Sequence, residues 1–162
     1  MTWHPLRSAD DDFFRTAPAR TSKVLETDVS AETLWAALSA DDAVVSWGPG
    51  VTKTRWVGPR PYGVGTVREV TVGGVATVRE KFYRWDENER MTFAVVESSR
   101  PGIRRFAEDY VVEPTPTGSR LTWTVAVEVA KGAGPTAPLV RGLLSLAVGS
   151  MVGGLGKKLE RG

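Results

Sequence analysis

The stretch from Gly63 to Trp85, GVGTVREVTVGGVATVREKFYRW, constrains the fold more than any other part of the chain. It reads as two strands joined at Gly73-Gly74. Strand side chains alternate between faces, so the length of that turn decides which residues enter the interior. A two-residue Gly-Gly turn pairs Val72 with Val75 and sets Glu80 beside Val67. Apolar and charged side chains are then mixed on both faces. A three-residue loop, for instance Val72-Gly73-Gly74 with Gly74 in the left-handed bulge position, moves every residue of the second strand to the other face. Arg68, Val70, Val72, Ala76, Val78, Glu80 and Phe82 now share one side. Val67, Glu69, Thr71, Thr77, Arg79 and Lys81 share the other, with Glu69 close to Arg79 across the strands. The second register sorts the residues far better and is the one expected. It leaves two charges, Arg68 and Glu80, on the apolar face.

The remaining elements follow from turn signals and periodicity. Thr21 to Val29 alternates weakly and reads as a first strand. Ser30 is a good N-cap for a helix through Leu38, whose apolar face holds Leu34, Trp35 and Leu38. A second short helix is expected over Asp41 to Trp47, stopped by Gly48-Pro49-Gly50. The GPGVTKT run is no phosphate loop, because no glycine precedes Lys53. Strands follow at Val51–Val57, in the hairpin, and at Met91–Glu97, Arg104–Glu113 and Leu121–Val129. Short links between consecutive strands imply an antiparallel meander.

From about Thr136 to Leu159 the period changes to that of a helix. Val140, Leu144, Ala147, Val148, Met151 and Leu155 form a broad stripe. Gly142, Gly149, Gly153 and Gly156, with Ser145, lie on the opposite side. Each glycine costs up to about 1 kcal/mol against alanine. Close helix–helix approach in self-association, room for a bulky ligand, or simply a bent helix would each account for them. A membrane span is discounted, since Arg141 and Ser145 interrupt a short, glycine-rich apolar run.

At 162 residues the chain suits one domain, expected over residues 21–162, with residues 1–20 as an N-terminal extension. In that extension Ser8 is placed to cap a short helix with Asp10, Asp11 and Asp12 in its first turn, Phe13 and Phe14 docking onto the body. A partly disordered arm is the alternative. There is no cysteine and the only histidine is His4, so thiolate or histidine metal sites and Ser-His-Asp triads have no residues to use. No metal and no cofactor are expected. Net charge is +2 with Lys and Arg scattered among acids, which argues against nucleic acid or an anionic membrane as partner. The N-terminus lacks a secretory pattern, and a cytoplasmic location is expected.

The order of strand, two short helices, meander and one long helix resembles the helix-grip fold of the START/Bet v 1-like superfamily. Within it the chain is similar to polyketide cyclase/dehydrase-type and lipid-transport proteins. The resemblance runs from Arg20 onward and rests on SAETLWAALSADDAVVSW, GVGTVRE, EKFYRW and GSRLTWTV. It implies an α+β domain in which a curved antiparallel sheet of about seven strands wraps a long C-terminal helix around an apolar cavity. It also implies a hydrophobic small-molecule ligand, a lipid, polyketide or similar, with only a minority of members being enzymes.

The residues expected to face such a ligand are Arg68, Val70, Val78, Glu80, Phe82, Tyr110, Trp123, Leu144, Val148 and Met151. Arg68 and Glu80 are either a register-fixing ion pair or a polar anchor, Arg68 donating to a ligand carboxylate or carbonyl and Glu80 orienting it. Glu108 shares parity with Tyr110, so the Arg104–Glu113 strand carries a second inward acid or a bulge. Three functions follow. The first is carriage or sensing of a hydrophobic molecule. The second is a cofactor-independent cyclase or dehydratase with Glu80 as base and Arg68 stabilising an enolate oxygen. The third is an interaction module associating through the glycine face, so that the chain is a monomer or a homodimer.

Overall fold

In the computed structural model, which describes residues 1–130 and 134–162, the Gly73-Gly74 turn is followed by one extra residue. Both glycines have positive φ, +61° and +69°, a region that side chains disfavour. The Val75 N–H donates to the Val72 carbonyl at 3.2 Å. Val75 then stands outside the ladder, which resumes with Val72 opposite Ala76. The loop is thus Gly73-Gly74-Val75, one residue later than Val72-Gly73-Gly74, and the expected parity holds. Arg68 lies opposite Glu80 and Glu69 opposite Arg79.

Among the described residues eight strands form one antiparallel sheet. They are β1 (His4–Pro5), β2 (Ala19–Thr27), β3 (Val51–Val57), β4 (Val67–Val72), β5 (Ala76–Asp86), β6 (Arg90–Ser98), β7 (Ile103–Thr115) and β8 (Gly118–Val129). Their order is β2-β8-β7-β6-β5-β4-β3, a meander from β3 to β8 with β2 returning beside β8. The β6–β7 ladder ends at Ala94 and Ala107. Beyond that point β6 is paired instead by β1, His4 opposite Ser98. This parting of β6 and β7 opens one end of the sheet.

Between β1 and β2 the chain docks on the outer face of the sheet. Helix α1 (Phe13–Thr16) buries Phe13 against Ala94, Ala107 and Ala126, small side chains that leave room for a ring. The acids do not occupy its first turn as expected. Asp12 stands at the N-cap without a capping bond, and Asp11 ties the segment to Arg84 and to the Tyr83 hydroxyl.

On the inner face, helix α2 (Ala31–Ser39) starts where Ser30 Oγ accepts from the Thr33 N–H at 3.1 Å, and it buries Leu34, Trp35 and Leu38. The second short helix expected at Asp41–Trp47 is a succession of turns. Buried Val44 takes φ +74°, which breaks helical geometry, and the Val45 N–H is claimed by Thr54 Oγ1.

The long helix α3 (Ala137–Arg161) runs over the inner face beside β2. Its buried stripe is Ala137, Val148, Val152, Leu155 and Leu159, so Val152 and Leu159 belong to the core more than Val140 or Leu144. By length and composition alone it passes for a membrane span, and Leu139, Leu143 and Leu146 are exposed. It nevertheless packs as the gripped helix of the domain. Close approach is supplied by a glycine outside the expected face. A Cβ on Gly154 would stand 2.0 Å from the Trp47 carbonyl oxygen, so the helix seats on the Gly48-Pro49 turn only because that carbon is missing. Of the four glycines expected to act together, Gly142 and Gly153 face open space, while Gly149 and Gly156 lie over Lys23 and Leu25 of β2. None of them borders the cavity described next, so they do not make room for a ligand.

Candidate functional site

Between the inner face of the sheet and α3 lies a cavity of about 450 Å³. Its walls are apolar: Val51, Val70, Val78 and Val95 from the β3–β6 side, Phe106, Tyr110, Trp123 and Val125 from β7 and β8, and Leu144, Ala147, Val148 and Met151 from α3. Exposed Val72, Arg100 and Pro101 mark its mouth, where β6 and β7 part. Buried Arg68, Glu80, Tyr110 and Trp123 mark its inner end. Every residue expected to face a ligand lines this space except Phe82. Phe82 is fully buried behind it, between Trp56, Trp85 and Phe93. Its parity is as expected, but an aromatic belt running Trp56, Phe82, Phe93, Tyr110, Trp123 closes the inner end and takes it out of reach.

Among the described residues three side chains of the inner end carry a guanidinium or a carboxyl group. Arg68 Nε donates to Glu80 Oε2 at 2.6 Å, and both residues are buried. The guanidinium carbon sits 5.1–5.3 Å from the ring centres of Trp56, Phe82 and Phe93. Those ring faces attract a cation. Arg68 Nη1 and Nη2 are enclosed and have no hydrogen-bond acceptor among the described residues. Burial works against the Arg68 charge, but Glu80, Tyr110 and Glu108 more than offset it and hold the guanidinium above its ordinary value. Burial holds the Glu80 carboxyl above its ordinary value, and the Arg68 charge and hydrogen bond offset only part of that rise. Since arginine does not deprotonate, a neutral Glu80 would strand a buried cation, so Glu80 is its carboxylate partner.

Glu108 is the third group. The ladder irregularity in β7 falls between Ile103 and Arg105, before Phe106, so Phe106, Glu108, Tyr110 and Val112 all point inward. Of the two arrangements left open by the sequence, the second inward acid is the one present. The Tyr110 hydroxyl donates to Glu108 Oε2 at 2.8 Å and Trp123 Nε1 donates to the same oxygen at 2.9 Å. Burial, then the negative charge of Glu80, push the Glu108 carboxyl up to about 8. At neutral pH the inner end therefore holds one cation, one anion and one uncharged acid. Arg100, at the mouth, donates through Nε to the Val75 carbonyl at 3.1 Å and was not legible as a site residue, since it falls in the β6–β7 turn. Among the described residues no cluster of His, Cys, Asp or Glu is arranged to hold a metal.

Comparison with known proteins places this geometry. Residues 18–160 match the model of the family described as polyketide cyclase / dehydrase and lipid transport. An uncharacterised protein of Mycobacterium tuberculosis (strain ATCC 25618 / H37Rv) is 35% identical over 145 residues, covering 90% of this chain and 87% of that protein. An uncharacterised protein of Mycobacterium bovis matches at the same values. In structure the chain is similar to a START superfamily protein from Mycobacterium smegmatis, with a TM-score of 0.75 at 18% identity over 88% of this chain and 97% of that one. A protein from Mesorhizobium loti superposes with a TM-score of 0.68 at 15% identity over the same shares. The fold is the START/Bet v 1-like helix grip, and the chain belongs to the polyketide cyclase/dehydrase and lipid-transport family.

Proposed function

We propose that the chain binds or carries a hydrophobic small molecule between its sheet and α3. The observation behind this is the cavity itself, whose volume of about 450 Å³ and apolar walls match a small-molecule site of roughly 300–1,000 Å³ with few, placed polar groups. Native mass spectrometry of the purified protein is expected to show a co-purified lipid-like mass. Ala147→Trp, which fills the cavity from the helix side, is expected to remove it while leaving the circular dichroism spectrum unchanged. An empty wild-type protein that also fails to take up 1-anilinonaphthalene-8-sulfonate or a fatty alcohol would overturn the reading.

A second reading, a cofactor-independent cyclase or dehydratase, draws support from the two inner acids, Glu80 paired with the Arg68 cation and Glu108 bonded by the neutral donors Tyr110 and Trp123. Arg68 is too enclosed to reach an enolate oxygen, so the acid falls to Glu108. Glu80 would take a proton from the carbon beside a ligand carbonyl as Glu108 delivers its own to the carbonyl oxygen, giving the enol. Glu80→Gln should then abolish turnover of a polyketide substrate, and unchanged turnover would remove the assigned base.

A further inference from the structure

We propose that the ligand held in this cavity is an uncharged hydrophobe bearing a hydroxyl group, and that the cavity rejects the corresponding carboxylate at its inner end. The inference rests on the binding function proposed above and adds the chemistry of the ligand's polar end. Four observations carry it. Arg68, the one cation of the inner end among the described residues, is already engaged: Nε is on Glu80, three aromatic rings surround the guanidinium, and Nη1 and Nη2 have no accessible surface to offer. Glu80 uses only Oε2 for that pair, and Glu108 receives both of its donors, Tyr110 and Trp123, on Oε2. The Oε1 atoms of both acids carry no hydrogen bond from the described residues, yet neither is among the enclosed orphan atoms. They are the polar atoms that these two wall residues leave open to the cavity.

The fourth observation is the charge count. A ligand carboxylate at the inner end would join Glu80 with no second cation to neutralise it, and if Glu108 ionised it would meet two negative charges. In a low-dielectric cavity unlike the aqueous phase that repulsion is severe. A hydroxyl suits both open oxygens. It donates to the Glu80 carboxylate and accepts from the protonated Glu108, which lies two strands away across β6. The groups that face Glu108 are Arg68 from β4, Glu80 from β5, Tyr110 from β7 and Trp123 from β8, and of these only Arg68 is positive. Among the described residues Arg100 is the one further cation of the lining, and it stands at the mouth.

The test is isothermal titration calorimetry of the delipidated full chain with dodecanol and with dodecanoate at pH 7. Dodecanol is expected to bind at least about tenfold more tightly, a difference of about 1.4 kcal/mol. Its affinity is expected to fall as the pH is raised past 8, and Glu108→Gln, which stays uncharged, is expected to remove that fall. Equal or tighter binding of dodecanoate would overturn the proposal. If Arg100→Gln then abolished dodecanoate binding, the head would sit at the mouth and the proposal would be overturned in that specific way. Binding of neither probe would instead count against the cavity as a ligand site, so the two failures are distinguishable.

Discussion

The hairpin carries two Arg–Glu cross-strand pairs one residue apart, and they lie on opposite faces of the sheet. Outside, Glu69 and Arg79 belong to a chain of four charges across β3–β6: Arg55 and Arg79 both donate to Glu69 at 2.9 Å, and Arg79 donates to Glu97 at 2.7 Å. Water reaches all of them to some degree. Inside, Arg68 and Glu80 have side chains only 0% and 7% exposed, and among the described residues each has the other as its one charged hydrogen-bond partner. The sequence of the pairs is nearly a mirror image, yet their energetics differ in kind. Exposed pairs contribute about 0–1 kcal/mol, because solvent already stabilises each charge. A buried pair adds little over apolar residues of the same volume, but breaking it leaves a charge with nothing to answer it.

That contrast predicts the largest effect at Glu80. Glu80→Ala should destabilise the fold by about 3–5 kcal/mol in urea unfolding, since Arg68 stays charged and enclosed. The double variant Arg68→Met/Glu80→Met should recover most of the loss. If it does not, the guanidinium's contacts with Trp56, Phe82 and Phe93 matter more than its charge, and the inner pair is misread.

A smaller effect, with a pH signature, is expected at Glu108. Its carboxyl is raised from an ordinary value of 4.5 to about 8 in the folded protein. The folded state therefore keeps a proton that the unfolded chain has already lost, and stability falls as pH rises across that window. Stability measured between pH 5 and pH 9 should decline in the wild type and flatten in Glu108→Gln. Equal slopes would mean that the Tyr110 and Trp123 donors hold Glu108 as a carboxylate.

Much of this was legible before any coordinates, for reasons specific to each residue. Strand parity is a binary property, so the sorting of Arg68, Glu80, Glu69 and Arg79 followed from one decision about the turn. The turns that stand in place of a helix at Asp41–Trp47, the seat of Gly154 on Trp47 and the mouth at Arg100 did not follow. Each depends on where a distant piece of backbone lies, and no local period records that. Phe82 shows the limit within a single strand: parity gave the correct face, but depth within that face is set by neighbours on β3 and β6.

On the outer face the expected effects shrink. Arg79→Ala should cost no more than about 1 kcal/mol, and the cost should diminish in high salt, where exposed pairs are screened. A loss as large as that of Glu80→Ala would erase the distinction between the faces.

The smallest effect is expected at the turn from which both pairs take their places. Val75 is 64% exposed and stands outside the ladder, between a tight Gly73-Gly74 turn and the first pair, Val72 with Ala76. Deleting it leaves a two-residue glycine turn that still sets Val72 opposite Ala76, so Arg68 remains inside with Glu80 and Glu69 outside with Arg79. The deletion should change stability by no more than about 1 kcal/mol, chiefly through the lost Arg100 contact with the Val75 carbonyl. A variant that loses cooperative unfolding would show that Val75 itself dictates the register. A variant that unfolds like the wild type would show that the two pairs and the apolar alternation select it, with the glycines only permitting the turn.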